Sequence, residues 1–210
     1  LLAWYITEGK SLRSAIVISQ ASALREIEEN SLVPSYRIFE TSRFSRKGSP
    51  VSRIINYEVY GLISFLIKHT AGYTAREKRI PWYVFSLSKE WLEFFLKELI
   101  KGDGIEYSSY VAFFSTSPLL LAGVSLIALR LGYYISMTRK SKEGSYGLLI
   151  RIGKRPEVRL NEFSAVPVYE IRECDYEYEW EYDISVEAET ENFVGGKGLV
   201  VFHNTPFSNI

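Results

Sequence analysis

Two stretches decide the fold: LLAWYITEG at Leu1–Gly9 and LKELIKGDG at Leu96–Gly104. Each reads as an apolar helix with a carboxylate in its last turn and a glycine at its end, Glu8-Gly9 in the first and Asp103-Gly104 in the second. The two acidic residues lie 95 positions apart. A carboxylate at a helix C-terminus is electrostatically unfavourable, because the helix dipole already places negative charge there. Two such ends brought together make a site for a divalent cation. Mg²⁺ held by carboxylates, phosphate oxygens and water is suited to phosphodiester chemistry. Taken singly, each stretch also reads as a core helix with an ordinary acidic end.

Working outward, the same kind of elements recurs around both stretches. Ser14–Ser19 reads as a strand, and Ala21–Glu29 as an amphipathic helix with Leu24 and Ile27 inward. Tyr36–Glu40 reads as a strand, followed by the basic loop Arg43–Lys47. Val51–His69 carries Ile54, Ile55, Val59, Leu62, Ile63, Leu66 and Ile67, a spacing that predicts a helix. Gly72–Pro81 is a loop with Arg76, Lys78 and Arg79. Ser88 reads as the N-cap of the second acidic helix, which runs to Lys101 before Gly102-Asp103-Gly104 breaks it. Val111–Ser115 is a predicted strand, and Ser117-Pro118 opens a helix that Gly132 ends. Tyr133–Thr138 and Leu148–Ile152 predict a hairpin. A doubled unit of this kind predicts an internal pseudo-dimer.

The chain has 210 residues and a mass of 24.2 kDa, which suits one large domain or two modest ones. With 47% hydrophobic and 24% charged residues, it reads as globular rather than disordered, collagenous or coiled-coil. One cysteine and two histidines exclude a disulfide framework and a Cys-based zinc site. No apolar run suits a membrane span and no signal peptide is visible, so the expected location is cytoplasmic, with no membrane partner. The apolar start at Leu1, without a methionine, predicts residues upstream or a second piece. Formal net charge is zero, yet residues 1–155 hold 22 basic and 13 acidic residues while residues 156–204 hold 3 and 12. A basic body joined to an acidic segment predicts two modules with different partners. Three basic clusters offer phosphate contacts: Arg43, Arg46 and Lys47; Arg76, Lys78 and Arg79; Arg139, Lys140 and Lys142.

LLAWYITEG and LKELIKGDG resemble the two motifs of the LAGLIDADG homing endonucleases, in the form found inside inteins. Glu77-Lys78-Arg79-Ile80-Pro81 with VFSLSKE at Val84–Glu90 resembles the segment leading into the second motif. Phe114–Ser117 and Arg130–Tyr133 resemble the region on the C-terminal side of that motif. The resemblance spans about residues 1–155. It implies an α+β fold of two repeats, whose motif helices pack on a pseudo-twofold axis. Antiparallel sheets then form a saddle over the DNA major groove, where strands read base edges. It assigns metal binding and Mg²⁺-dependent double-strand cleavage to Glu8 and Asp103. Departures are Glu98 where the family has a small residue, Lys101 where an acidic one is common, and Glu8 in place of Asp.

Residues 182–205 carry a second chemistry, YDISVEAETENFVGGKGLVVFHNT. A strand-like segment and a Gly195-Gly196 turn lead into Leu199–Phe202, which ends in His203-Asn204-Thr205. The Asn204 amide nitrogen can attack its own carbonyl carbon to form a succinimide. His203 can protonate the departing peptide, and the Thr205 hydroxyl can accept an acyl group. In context this resembles the C-terminal splicing blocks of an intein. The resemblance makes Asn204 the last intein residue and Thr205 the first of the C-extein, with Asp183 helping to activate that nucleophile. It implies domains at 1–155 (endonuclease, truncated at its start), 156–204 (the β-rich C-terminal half of a Hint splicing domain) and 205–210 (extein). Splicing needs no cofactor but needs an N-terminal intein half in cis or in trans, and the isolated chain is expected not to ligate exteins. The DNA partner would be the double-stranded intein-less host allele. Thr205–Ile210 resembles a segment of anaerobic ribonucleoside-triphosphate reductases, which suggests the host. The alternative is a LAGLIDADG DNA-binding or maturase-like module without cleavage. A plain globular enzyme domain with chance motifs is the third reading.

Overall fold

The computed structural model describes residues 1–20, 36–44, 50–137, 144–151, 159–160, 163–164, 192–195 and 200–203. Two compact units divide the chain, Leu1–Ile152 and Gly153–Ile210.

The first unit is a repeat. Helix α1 (Leu2–Glu8) runs directly into β1 (Gly9–Ser11), followed by β2 (Ala15–Gln20), β3 (Tyr36–Phe44), β4 (Pro50–Tyr60) and helix α2 (Gly61–Ala71). After a 3-10 turn at Trp82–Ser86, helix α3 (Lys89–Asp103) runs directly into β5 (Gly104–Glu106) and β6 (Tyr110–Ser115). Helix α4 (Pro118–Arg130), β7 (Tyr134–Met137) and β8 (Tyr146–Arg151) complete it. The first sheet has the order β1-β2-β4-β3 and the second β5-β6-β8-β7, all antiparallel. The expected amphipathic helix at Ala21–Glu29 lies outside the described residues.

One expectation is corrected. Residues 51–60 belong to strand β4, and the helix begins only at Gly61. Ile55, Tyr57 and Val59 alternate onto the core, with Tyr57 and Val59 fully buried. β4 is central, paired to β2 on one side and β3 on the other. Two hydrogen-bonded neighbours and a β-branched, aromatic composition outweigh an apolar spacing that also fits a helix. Gly61, at φ +71°, makes the junction where an L side chain would be strained.

The core lies where the helices pack on the sheets. Trp4, Tyr5, Leu99 and Ile127 join Ile16, Ile18 and Tyr57 of the first sheet to Phe113, Leu148 and Ile150 of the second in one core. Each such fully buried side chain contributes roughly 1.5–3 kcal/mol. α1 and α3 pack on each other, tightly enough at Gly102 that a Cβ there would overlap the Thr7 side chain. Ser117 caps α4 by accepting from the Leu120 N–H at 3.2 Å.

In the second unit, β9 (Arg159–Leu160) pairs with β10 (Phe163–Ser164), and β11 (Asn192–Gly195) pairs with β12 (Val200–His203), placing Asn192 opposite His203. No helix among the described residues is long and apolar enough to cross a membrane.

Candidate active site

The packed ends of α1 and α3 bring Glu8 and Asp103 into each other's field. Glu8 is exposed and Asp103 is half-buried. Burial, and next the Glu8 charge, push the Asp103 carboxyl up to about 6. Two like charges at two negative helix ends repel, and a bound cation would relieve that repulsion.

Beside them a cavity of about 300 Å³ is lined by Thr7, Gly9, Lys78, Asp103, Phe114 and Thr116, among others. Lys78 is 4% exposed, and its Nζ donates to the Tyr5 carbonyl at 2.7 Å and lies 3.0 Å from the Tyr5 ring centroid. Burial pulls its ammonium down to about 7. The loop holding Lys78 is pinned on several sides. The Tyr5 hydroxyl donates to Gly72 O at 2.7 Å, Arg79 N to Ala71 O at 3.0 Å, and the Ser117 hydroxyl to Lys78 O at 2.5 Å. A lysine held this way does not swing out as a solvated loop charge does.

Among the described residues, no three His, Cys, Asp or Glu side chains cluster to hold a metal. Glu8 and Asp103 could by themselves supply only part of a coordination sphere. That fits a hard cation which keeps several waters and takes substrate phosphate oxygens.

No family profile and no curated protein matches the chain. Solved structures do. An I-DmoI variant in complex with its target DNA in the presence of manganese has a TM-score of 0.51 at 15% identity, covering 71% of this chain and 83% of that one. I-DmoI with DNA and calcium has a TM-score of 0.51 at 15% identity, covering 72% and 80%. A mesophilic variant of the homing endonuclease I-DmoI has a TM-score of 0.50 at 15% identity, covering 72% and 86%. The chain has a LAGLIDADG-like fold.

Within this LAGLIDADG-like fold, the expected site residues are distributed unevenly. Glu8 and Asp103 come together. Lys78, expected as a surface phosphate contact, is instead buried against α1 and opens on the cavity. Arg76 is exposed on the loop. Arg79 is exposed too, with its guanidinium donating to the His69 and Thr70 carbonyls at the end of α2. Arg43 belongs to β3, opposite Ser52. Arg46, Lys47, Arg139, Lys140, Lys142, Asp183, Asn204 and Thr205 lie outside the described residues, and His203 is placed by its backbone at the end of β12. Lys10, Arg37 and Arg151 join the candidates only through the structure. All three stand on the sheet faces turned away from the core, as their register partners Val17, Glu58 and Tyr110 show. Period-two alternation around the buried residues is the sequence signal that marks them.

The departures from the family motif also have places. Glu98 is 6% exposed, accepts from Trp4 Nε1 at 2.9 Å and pairs with Lys101 Nζ at 2.6 Å.

Proposed function

We propose that residues 1–155 form a divalent-metal-dependent, site-specific DNA endonuclease of the LAGLIDADG type, within an intein whose C-terminal splicing half is residues 156–204. The observation that carries the nuclease reading is the joining of Glu8, Asp103 and the buried Lys78 at the meeting point of two packed helices. The faces of the two sheets turned away from the core begin at these carboxylates, at Lys10 and Ile105, and would lie against the DNA.

Glu8 and Asp103 would hold Mg²⁺, which when bound stabilises developing charge on the phosphate oxygens. In hydrolysis a water oxygen attacks phosphorus, the bond to the leaving ribose oxygen breaks, and the water gives up a proton. Lys78 Nζ is suited to take that proton. Near neutral pH much of it is uncharged, and a neutral amine can keep donating to Tyr5 O while its lone pair accepts.

For splicing, the β11–β12 pairing supports a strand that delivers His203 directly before Asn204. The Asn204 side-chain nitrogen attacks its own carbonyl carbon, the bond to Thr205 breaks, and His203 passes a proton to the departing amine. Asp183 would assist Thr205 as acyl acceptor, and Thr205–Ile210 would be the start of a ribonucleotide-reductase extein.

The test is Mg²⁺-dependent cleavage, by the full chain, of a plasmid carrying the uninterrupted host allele. Linear product is expected, and Glu8→Gln and Asp103→Asn should each abolish it. Unchanged cleavage by both variants sinks the site assignment. Binding without cleavage would favour the non-cleaving module of the same fold.

A further inference from the structure

The two repeats carry different chemistry at matching positions. Gly9 and Gly104 begin β1 and β5, and their partners are Ile18 and Phe113. This register makes Lys10 equivalent to Ile105, Val17 to Ala112 and Ser19 to Phe114. One strand further, Asn56 opposite Ser19 corresponds to Gly147 opposite Phe114, and Glu58 to Leu149. On the next strand Arg37 corresponds to Ser136.

The open face of the first sheet carries a set of hydrogen-bonding groups, with Val17, Phe39 and Ile54 among them. Ser19 Oγ donates to Asn56 Oδ1 at 2.7 Å, Asn56 Nδ2 donates to Thr41 Oγ1 at 3.0 Å, and Arg37 pairs with Glu58 at 3.0 Å. The same face of the second sheet is apolar next to the helix ends, with Tyr110, Arg151 and Ser136 farther out on it. Ile105 is 50% exposed and Phe114 42% exposed, with the half-buried Leu149 and the buried Ala112 on the two inner strands. Gly147 leaves no side chain beside Phe114. Phe114 also lines the cavity shared by Lys78 and Asp103, so this group is continuous with the cleavage site.

Exposed apolar side chains grouped beside a polar cleft call for an apolar partner. In the DNA major groove the apolar group on a base edge is the thymine C5-methyl. We propose that the second sheet, through Ile105, Phe114 and Leu149, recognises thymine methyl groups, while the first sheet reads hydrogen-bonding edges. The half-site under the second repeat is then thymine-rich next to the cut. This rests on the nuclease reading and names which feature of the DNA each half recognises.

The experiment selects binders of the full chain from a random-sequence duplex library, then remakes the selected duplex with deoxyuridine for thymidine in one half at a time. Each methyl lost should weaken binding about fourfold, from the burial of one such group. Substitution in one half should therefore cost about tenfold or more, and in the other about twofold or less. Phe114→Ser and, separately, Ile105→Thr should remove that sensitivity. Equal affinity for thymidine and deoxyuridine duplexes overturns the inference while DNA binding stands. If equal affinity comes with self-association that Phe114→Ser abolishes, the group is a protein contact. Failure to select any duplex overturns the nuclease reading as well. Should Phe114→Ser misfold, the deoxyuridine result decides alone.

Discussion

Trp4 Nε1 donates to Glu98 Oε2 at 2.9 Å across the two central helices, in the interior and 94 residues apart in the chain. Where helices of this kind usually meet through small side chains, a polar clasp holds these two, with Lys101 supplying a countercharge to Glu98 at the surface. Trp4→Phe removes the indole donor and leaves a buried carboxylate short of a partner. It should lower stability by about 1–3 kcal/mol, read as a fall in the urea midpoint. Glu98→Gln keeps an acceptor and should cost less than Glu98→Ala.

Asp103→Asn is expected to abolish cleavage and raise stability together. The Asp103 carboxyl stands at about 6 in the folded chain, above its ordinary value of 3.8. Between these pH values the folded state holds more protons than the unfolded one, so stability falls as pH rises through that window and stays low above about 6. The neutral amide escapes this cost. Allowing for solvent screening at a half-buried group, the gain at pH 8 should be about 1 kcal/mol and should vanish near pH 4. Equal thermal midpoints for variant and parent at pH 8 would contradict the burial of this charge.

A Lys78 that takes the proton from water would set the acidic limb of the pH profile. Its Nζ titrates at about 7, so single-turnover cleavage should climb as pH rises through 6 and 7 and then level off. Lys78→Arg, charged at every accessible pH, should lose activity by about 100-fold or more while still folding. Lys78→Met leaves the Tyr5 carbonyl without its donor, at a cost of roughly 1–3 kcal/mol in stability. A pH profile unchanged in Lys78→Arg would remove Lys78 from the chemistry.

Gly102→Ala tests the helix crossing. The added methyl meets the Thr7 side chain, and the backbones must part. Overpacking of this kind costs typically about 1–3 kcal/mol. Thr7→Ala in the same chain should recover part of the loss, because the clash is with that side chain, and a double-mutant cycle measures the coupling.

Asn204→Ala addresses the second chemistry. With an N-terminal intein half supplied, mass spectrometry should show release of the Thr205–Ile210 flank from the parent and none from the variant. Release that persists would refute cyclisation at Asn204.

Several features are legible in the residues themselves. Both acidic helices, the pseudo-repeat, the strands around Ala15–Gln20 and Tyr110–Ser115, and the split of charge near residue 155 arise from local patterns. These patterns are local because caps, glycine stops and alternation act within a few residues. β4 is not legible as a strand, because Ile54, Ile55 and Val59 satisfy helical spacing as well. The choice is made by β2 and β3, which pair with it from distant parts of the chain.

Local residue order alone places two carboxylates at the ends of matching apolar helices and an Asn-Thr junction after a strand. Folding in three dimensions settles which groups those carboxylates meet. A lysine in a basic loop looks like a surface charge until the loop is pinned by Tyr5 and Ser117. Burial then strips its water, shifts its proton affinity and turns it toward the cavity it shares with Asp103. The contrast between a hydrogen-bonding face and an apolar one likewise exists only once strand register sets Ser19 against Phe114. Proton affinity and surface character depend on neighbours in space, which no local run of residues specifies.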